Sequence, residues 1–321
     1  MTKTTYIQSP LNYIGGKARL LSQLLPLFPS NVSTFVDLFC GGCNVGVNAN
    51  AKHVIFNDIS EHIIGLLKTF REMNNEDIIN GINMLIDKFS FSRTREHSFA
   101  YYGGDSNLGV SVYNRDKFLK LREQFNNYKE KDSLYYIQLY TLILFSFNNQ
   151  MRFNTQGEFN LPVGKRDFNN VIETKLIRFL DKIRKHDCEF INGDFRDFDF
   201  SKLQKDSLVY CDPPYLITTA TYNENNGWTE QDEADLLFLL QKLSESDTKF
   251  ALSNVLTHEG KENKILKEWI ASNNYEVHHL SMDYHNSNYQ KKSKKQESTE
   301  VLITNYRCDT NPITYDCETL I

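Results

Sequence analysis

The chain has 321 residues, of which 40% are hydrophobic and 24% charged, with a formal net charge of -5 at pH 7. This is the composition of an ordinary globular protein, long enough for one large domain or two moderate ones. The apolar run 140–147 is far shorter than the roughly 20 residues of a membrane-spanning helix, and the first residues lack a secretory signal. We therefore expect a cytoplasmic protein without a membrane segment.

The first predicted elements are two buried strands separated by a glycine-rich loop. Residues 34–42 run from an apolar stretch into glycines, and residues 53–59 form a second apolar stretch that reaches Asp58 near its end. Helical spacing follows in residues 61–70. This order is typical of the start of a parallel, doubly wound α/β sheet.

The pattern changes between residues 72 and 167, which are aromatic and polar. Helical segments are predicted around 116–128 and 134–147, and a glycine-punctuated stretch follows at 152–166. We interpret 72–167 as an insertion that serves recognition rather than the sheet.

Strand patterns return after the insertion, around one more helix. Residues 229–244 predict that helix, with Thr229 as N-cap and acidic residues in the first turn. The late strands are predicted at 188–192, 207–211, 249–254, 275–280 and 300–306. We therefore assign 1–71 and 168–321 to a single sheet domain.

The loop after the first strand has the features of a nucleoside site. Its glycines let a ligand approach the backbone, and Asp58, at a second strand end, suits ribose hydroxyls. The G-x-G-x-x-G spacing of nucleotide-dependent dehydrogenases is absent, which disfavours that class. The stretch YIGGK at 13–17 lacks the full phosphate-loop pattern, which disfavours a Walker-type ATPase.

The stretch DPPY, residues 212–215, ends the strand at 207–211. Two prolines stop the hydrogen-bond ladder and form a rigid corner, so the Asp212 carboxylate and the Pro213 carbonyl become adjacent, outward-facing acceptors. Tyr215 adds a flat ring on which a base could stack, worth roughly 1 to 3 kcal/mol. An ordinary strand-ending turn is the alternative, but the nucleoside-type loop favours a site for a planar base with an amino group.

The six cysteines are scattered, and only Cys40 and Cys43 have CxxC spacing. No second pair or histidine lies nearby in the sequence. We interpret them as reduced packing residues and predict no metal site.

The chain resembles the Dam-like class (D12 class, alpha group) of DNA adenine-N6 methyltransferases, from about residue 9 to 306. The resemblance rests on these motifs in this order: SPLNYIGGKARL, FVDLFCGG, FNDI, RFNTQGEFNLPVGKR, INGDF, CDPPY and FALSN. It implies a Rossmann-like methyltransferase sheet, S-adenosyl-L-methionine as cofactor, and a mostly helical target-recognition domain at 72–167. It also implies a flipped-out adenine in a short duplex site as substrate, with a restriction-modification role.

The resemblance assigns roles position by position. The catalytic set is Asp212, Pro213, Pro214 and Tyr215. The cofactor set is Tyr13, Lys17, Asp37, Phe39, Gly41, Asp58, Asp194, Phe195 and Asp212. The loop has consecutive glycines, Gly41 and Gly42, where the family usually has F-x-G-x-G, so the backbone groups that meet the cofactor are not assigned.

Two basic segments are candidates for DNA contacts. Residues 152–166 by themselves predict a hairpin turned at Gly157, and within the resemblance this hairpin faces DNA. The second segment is a basic loop between two late strands. The DNA-binding candidates are Arg152, Asn154, Lys165, Arg166, Lys291 and Lys292.

Two alternatives to adenine methylation stay open at this point. DPPY also serves N4-cytosine methylation, although the motif order and the hairpin segment favour adenine. A DNA-binding regulator that has lost catalysis is disfavoured by the intact DPPY, Asp37 and Asp58.

Double-stranded DNA is the expected partner, and a separate restriction endonuclease is a candidate partner. The sequence assigns no oligomeric state.

Overall fold

The computed structural model describes residues 6–13, 15–105, 107–218, 227–281 and 298–308. The chain divides into two compact units. The first comprises Met1–Gly16, Gly41–Val47 and Ser60–Asn192, and the second comprises Lys17–Cys40, Asn48–Ile59 and Gly193–Ile321.

Helices and strands alternate at both ends of the chain, with helices alone in the middle. In chain order the helices and strands are α1 Leu21–Leu24, β1 Val32–Asp37, β2 Ala51–Asp58, α2 Glu61–Glu72, α3 Asn75–Phe89, α4 Ser111–Asn127, α5 Ser133–Phe145, α6 Asn170–Lys185, β3 Cys188–Asn192, β4 Leu208–Cys211, α7 Glu230–Glu245, β5 Lys249–His258, β6 Lys261–Glu262, α8 Lys264–Ala271, β7 Glu276–Leu280 and β8 Ser298–Thr304.

The first unit is built around α5. Every residue from Tyr135 to Phe145 is buried, because a helix that is apolar on all sides is stable only when other elements surround it. Helices α2, α3 and α4 contact α5. The approach of α2 is close: a Cβ atom at Gly65 would lie 1.9 Å from the hydroxyl oxygen of Tyr136.

The second unit contains a mixed sheet in the order β2-β1-β4-β5-β8-β7, with β6 paired to β5. Strands β2, β1, β4 and β5 are parallel neighbours, whereas β8 is antiparallel to both β5 and β7. Every residue of β4 is buried, as expected for a central parallel strand with both faces covered. This is the predicted α/β, Rossmann-like sheet.

The strand order places a switch point beside β1. From β1 the chain first adds β2 on one side and later β4 on the other. In open α/β sheets a crevice opens at such a point, outside the carboxyl ends of the strands, and ligands bind there. The topology therefore directs attention to the residues at the ends of β1, β2 and β4.

The predicted strands and helices are confirmed, with shifted boundaries. The helix predicted to reach Phe147 ends at Phe145, and a 3₁₀ turn follows in which Asn148 and Asn149 have positive φ of 55° and 53°. Helical backbone cannot continue through such residues. Within the described ranges, the helices are too short or too polar to cross a membrane.

Candidate active site at the carboxyl edge of the sheet

Three aspartates lie at one edge of the sheet. Asp37 ends β1, Asp58 ends β2, and Asp212 directly follows β4. Asp37 pairs in register with Phe56 on one side and with Tyr210 on the other. Because these strands are parallel, all three carboxylates lie at the switch point. The structure thus brings together Asp37, Asp58 and Asp212 of the predicted cofactor and catalytic sets.

Asn57 ties the neighbouring loops to the end of β2. Its side-chain nitrogen donates to the backbone oxygens of Leu38, at 3.0 Å, and Gly193, at 3.2 Å. The backbone N–H of Gly193 donates to the backbone carbonyl oxygen of Asp58 at 3.2 Å. The side-chain oxygen of Asn57 is buried and has no hydrogen-bond partner among the described residues. Sequence reasoning did not identify Asn57 as part of the site.

An aromatic cluster lies beside this edge. The rings of Phe39 and Phe195, both predicted cofactor residues, have centroids 5.4 Å apart. Trp228 completes the cluster, 5.7 Å from Phe39 and 5.7 Å from Phe195. Such a cluster offers flat apolar surface to a planar ring. Trp228 was not among the predicted site residues.

Asp194 is the N-cap of a 3₁₀ turn, and its carboxylate has several partners. Its carboxylate accepts from the backbone N–H of Arg196 at 2.9 Å and pairs with the Arg196 guanidinium at 3.3 Å. Arg196 also contacts Asp232 and Asp235, at 2.7 Å each. This network joins Asp194 to the start of α7.

Buried Glu233 holds Trp228 in place. Its carboxylate accepts from the indole N–H of Trp228 at 2.6 Å, from Asn254 at 3.1 Å and from Asn263 at 2.7 Å. Burial raises the pKa of Glu233, and these three hydrogen bonds offset part of that rise. The helix that carries Glu233 begins with a capping box between Thr229 and Asp232, which confirms Thr229 as N-cap.

We expect Glu233→Gln to destabilise the protein by about 2 to 4 kcal/mol, since one acceptor oxygen becomes an amide nitrogen that faces donors and leaves them unpaired. Thermal and urea unfolding measure the loss. Glu230→Gln is the matched control, because Glu230 is exposed on the same helix. Equal stability of the two variants would contradict this role of Glu233.

The DPPY corner carries a buried ion-pair cluster. The ammonium of Lys17, whose side chain is 3% exposed, lies 2.8 Å from Oδ1 of Asp212 and 3.5 Å from Oε1 of Glu300 on β8. The Tyr215 hydroxyl lies 3.1 Å from each of the same two oxygens. Lys17 also lies 5.0 Å from the centre of the Tyr215 ring.

Burial dominates the electrostatics of this cluster. It raises the pKa of Asp212, and the ion pair with Lys17 and the hydrogen bond from Tyr215 offset part of that rise. Burial and the nearby charge of Asp212 raise the pKa of Glu300, again with partial relief from Lys17. The sequence predicted an outward-facing Asp212. In the structure its side chain is 19% exposed, and Oδ1 already has two partners.

In the first unit, Gly41 packs against Tyr13. A Cβ atom at Gly41 would lie 2.9 Å from Cδ1 of the Tyr13 ring, and Gly41 has a φ of 45°, so only glycine fits this position without strain. Cys40 and Cys43 are buried, as the packing interpretation predicted.

Among the described residues, one group of potential metal ligands comprises Glu276, His278 and Cys308. Protein contacts account for their proximity. The Cys308 sulfur lies 3.3 Å from His278 Nε2, and the Cys308 backbone N–H donates to Glu276 at 3.2 Å. We assign no metal to them.

The predicted hairpin is present in the first unit. Gly157, with a φ of 76°, turns it, and the Phe153–Phe159 bridge closes it. Asn154 accepts from two backbone N–H groups of the turn, at 3.0 Å and 2.8 Å, and Arg152 donates to Asn160 at 2.8 Å. Both side chains therefore support the hairpin itself.

The remaining DNA-binding candidates fall into two groups. Lys165 and Arg166 follow the hairpin and are exposed. Lys291 and Lys292 lie outside the described residues. Exposed cationic side chains are the kind that contact phosphate.

Comparison with known proteins gives a consistent result. Residues 13–286 match the family model of the D12 class N6 adenine-specific DNA methyltransferases. The chain is 41% identical to "Type II methyltransferase M.FokI" of Planomicrobium okeanokoites over 94% of this chain and 43% of that protein. It is 40% identical to "Modification methylase StsI" of Streptococcus sanguinis, over 95% of this chain and 44% of the relative.

A more distant relative matches along most of its own length. It is the "DNA adenine methylase" of Serratia marcescens, 27% identical over 76% of this chain and 82% of that protein. By contrast, the chain spans less than half the length of the two modification enzymes that it matches at about 40% identity.

Proposed function

Since the chain belongs to the D12 class N6 adenine-specific DNA methyltransferase family, we propose that it transfers a methyl group from S-adenosyl-L-methionine to N6 of an adenine in a short duplex DNA site. The observation that carries the proposal is the position of Asp212 and Tyr215, at the sheet edge that also presents Asp37 and Asp58. This edge is the ligand-binding edge of the fold.

The residues present fit the proposed cofactor. The aromatic cluster of Phe39, Phe195 and Trp228 suits an adenine ring. The side-chain oxygen of Asn57, which has no partner in the described part of the chain, is a further acceptor beside Asp58. We propose that Asp58 holds the ribose hydroxyls and Asp37 the methionine end. Buried carboxylates also favour a cationic ligand. When bound, S-adenosyl-L-methionine supplies an electrophilic methyl group on a positively charged sulfur.

The amino group of adenine is a poor nucleophile, because its lone pair is delocalised into the purine ring. We propose that the Asp212 carboxylate and the Pro213 carbonyl each accept one N6–H, which favours a pyramidal nitrogen with a directed lone pair. Tyr215 stacks on the purine and sets its plane. Positioning and fixed acceptors then supply much of the acceleration.

An adenine within a duplex cannot reach this corner. The base must rotate out of the helix, at a cost of a few kcal/mol for unpairing and unstacking. Stacking on Tyr215 would offset roughly 1 to 3 kcal/mol of that free-energy cost. We propose that the first unit, which carries the hairpin, binds the duplex.

Lys165 and Arg166 are proposed phosphate contacts. For the double variant Lys165→Ala/Arg166→Ala we expect the slope of log affinity against log salt to become shallower by about 2, since each lost phosphate contact removes about 0.9. The backbone contact between Val110 and Lys165 is retained, because it uses the Lys165 carbonyl. Fluorescence anisotropy of labelled duplex DNA over a salt series measures the slope.

The control for this pair is Lys202→Ala/Lys205→Ala, two exposed lysines of the second unit. It should leave the salt slope unchanged. An unchanged slope in the Lys165/Arg166 variant would remove these residues from the DNA interface.

The experiment that tests the function is methylation of a genomic DNA library, followed by sequencing of modified positions and mass spectrometry of the digested product. We expect 6-methyladenine at one short motif. 4-Methylcytosine would instead support the cytosine alternative. Unmodified DNA together with no binding of S-adenosyl-L-methionine in calorimetry would support a regulator without catalysis.

We further propose that the protein is the modification enzyme of a restriction-modification system. The relatives called modification methylases support this role over housekeeping methylation. A cognate endonuclease that acts separately is the expected partner. It should cleave the motif found by sequencing when that motif is unmethylated and spare it when methylated.

A further inference from the structure

Glu300 is a buried carboxylate in the catalytic corner that none of the recognised motifs contains. It lies on β8 and its side chain is 9% exposed. Its Oε1 contacts the Lys17 ammonium and the Tyr215 hydroxyl, the same two groups that contact Oδ1 of Asp212. Burying a second carboxylate beside the first is costly unless cations and hydrogen-bond donors compensate both charges.

The contacts of Asp212 and Glu300 are duplicates. The Tyr215 hydroxyl is 3.1 Å from each carboxylate, but it carries one proton and donates fully to one oxygen at a time. Lys17 is nearer to Asp212, at 2.8 Å, than to Glu300, at 3.5 Å. A small movement therefore transfers either group from one carboxylate to the other.

This duplication matters because two sets of groups compete for the Asp212 carboxylate: the substrate amino group, and Lys17 with Tyr215. In the proposed reaction Asp212 accepts a hydrogen bond from the adenine amino group, yet Lys17 and Tyr215 already contact its Oδ1. An ammonium held at 2.8 Å also competes directly for the lone pairs that the substrate needs. Glu300 is a second acceptor that could bind Lys17 and Tyr215 in place of Asp212. The buried ammonium of Lys17 would then keep a carboxylate partner.

We propose that Glu300 is a positioning residue. It accepts the ion pair of Lys17 and the hydrogen bond of Tyr215 when Asp212 accepts a hydrogen bond from the substrate amino group. The inference rests on the proposed function. In this arrangement Lys17 keeps an anionic partner throughout, and the Tyr215 ring is held by its hydroxyl while its face meets the purine. Glu300 itself does not contact the reacting atoms.

The charges around Glu300 allow this assignment to be tested by pH. The titratable groups that act on it include Lys17, Asp212, Tyr215 and Tyr210. Burial raises the pKa of both tyrosines well above its ordinary value, so they stay neutral near pH 7. Two carboxylates thus share one cation.

The test compares Glu300→Gln with Glu300→Asp. Glutamine keeps the shape and an acceptor for Tyr215 but loses the charge that holds Lys17. Without the competing carboxylate Lys17 binds Asp212 more tightly, so we expect the single-turnover rate to fall at least tenfold. We also expect the acid limb of the pH–rate profile to move to lower pH, because an undivided cation favours ionised Asp212.

Glu300→Asp restores the charge at the expense of length. We expect its rate to lie between those of the wild type and Glu300→Gln, with the acid limb near the wild-type position. A role in packing alone predicts the reverse order, because glutamine fills the site and aspartate does not. Both variants should bind S-adenosyl-L-methionine within about threefold of the wild-type affinity in calorimetry.

Glu262→Gln, an exposed carboxylate of the same unit, is the control and should behave as wild type. The inference is overturned if Glu300→Gln keeps wild-type rate and profile, if aspartate is slower than glutamine, or if cofactor affinity collapses. Should Glu300→Gln not fold, Glu300→Asp decides alone: its rate must fall below wild type with unchanged affinity. A wild-type protein that leaves DNA unmethylated refutes the proposed function instead, before any variant is compared.

Discussion

Replacing Asp212 by alanine is expected to lower the single-turnover rate of methyl transfer by at least about 10³-fold while cofactor binding largely survives. The acceptor that directs the N6 lone pair is lost, and a positioned polar group at the reacting atom typically contributes 10²–10⁴-fold. The variant should still fold, because Lys17 keeps Glu300 as a partner at 3.5 Å. Transfer of a radiolabelled methyl group to duplex DNA measures the rate.

Calorimetry with S-adenosyl-L-methionine and thermal unfolding accompany this assay, so that a folding defect is not mistaken for a catalytic one. Asp247→Asn is the control, since the Asp247 side chain is 77% exposed and pairs at the surface with Lys205, and asparagine tolerates the φ of 65° at this position. Methylation retained by Asp212→Ala would refute the catalytic assignment of DPPY.

Replacing Lys17 by methionine is expected to move the acid limb of the pH–rate profile to higher pH. Asp212 must be ionised to accept the amino hydrogen, so activity is present above its pKa and is lost as the pH falls through it. Burial already raises the pKa of Asp212, and Lys17 is the largest opposing influence. Without Lys17, two neighbouring buried carboxylates disfavour each other's ionised forms.

The measurement is the single-turnover rate from about pH 5.5 to 9, with DNA and cofactor saturating, since Lys17 is also a predicted cofactor residue. The variant should recover a larger share of the wild-type rate at pH 9 than at pH 6. Lys242→Met, at an exposed lysine on α7, should leave the profile unchanged. A Lys17→Met profile that falls uniformly at all pH values would show that Lys17 does not tune Asp212.

The Lys17 and Glu300 variants change the charge of the same buried cluster in opposite directions. Loss of the shared cation should move the acid limb up, and loss of the competing carboxylate should move it down. Opposite shifts are difficult to obtain from general loosening of the site, which would change both profiles in the same way. The pair of results therefore reports on the cluster specifically.

Much of the candidate site was predictable because its signals are local. Asp37, Asp58 and Asp212 each end or follow an apolar strand, and the proline corner is visible in four consecutive residues. Parallel strands align their carboxyl ends, so the order of elements sufficed to place these residues together. The hairpin at Gly157 was predictable in the same way, from its turn residues.

The residues that sequence reasoning missed act through contacts distant in the chain. Glu233 was interpreted as one of several acids in the first turn of α7, but it lies three and seven residues before the buried Leu236 and Leu240. That spacing puts it on the buried face, which is a usable signal. Glu300 likewise stands at the start of a buried apolar run. Asn57 lies within the motif FNDI, but only its neighbour Asp58 was assigned a role, and Trp228 gave no comparable signal.

By itself, the sequence determined the order of strands and helices, the rigid corner after β4 and the family to which the chain belongs. These depend on periodicity, on proline and glycine geometry and on consecutive motif residues. Tertiary structure decided which charges share a partner: Lys17, Asp212 and Glu300 are separated by nearly the whole chain, yet contact one another in a buried cluster. No local pattern encodes that cluster, because the energy of a buried carboxylate depends on the groups that the fold brings around it.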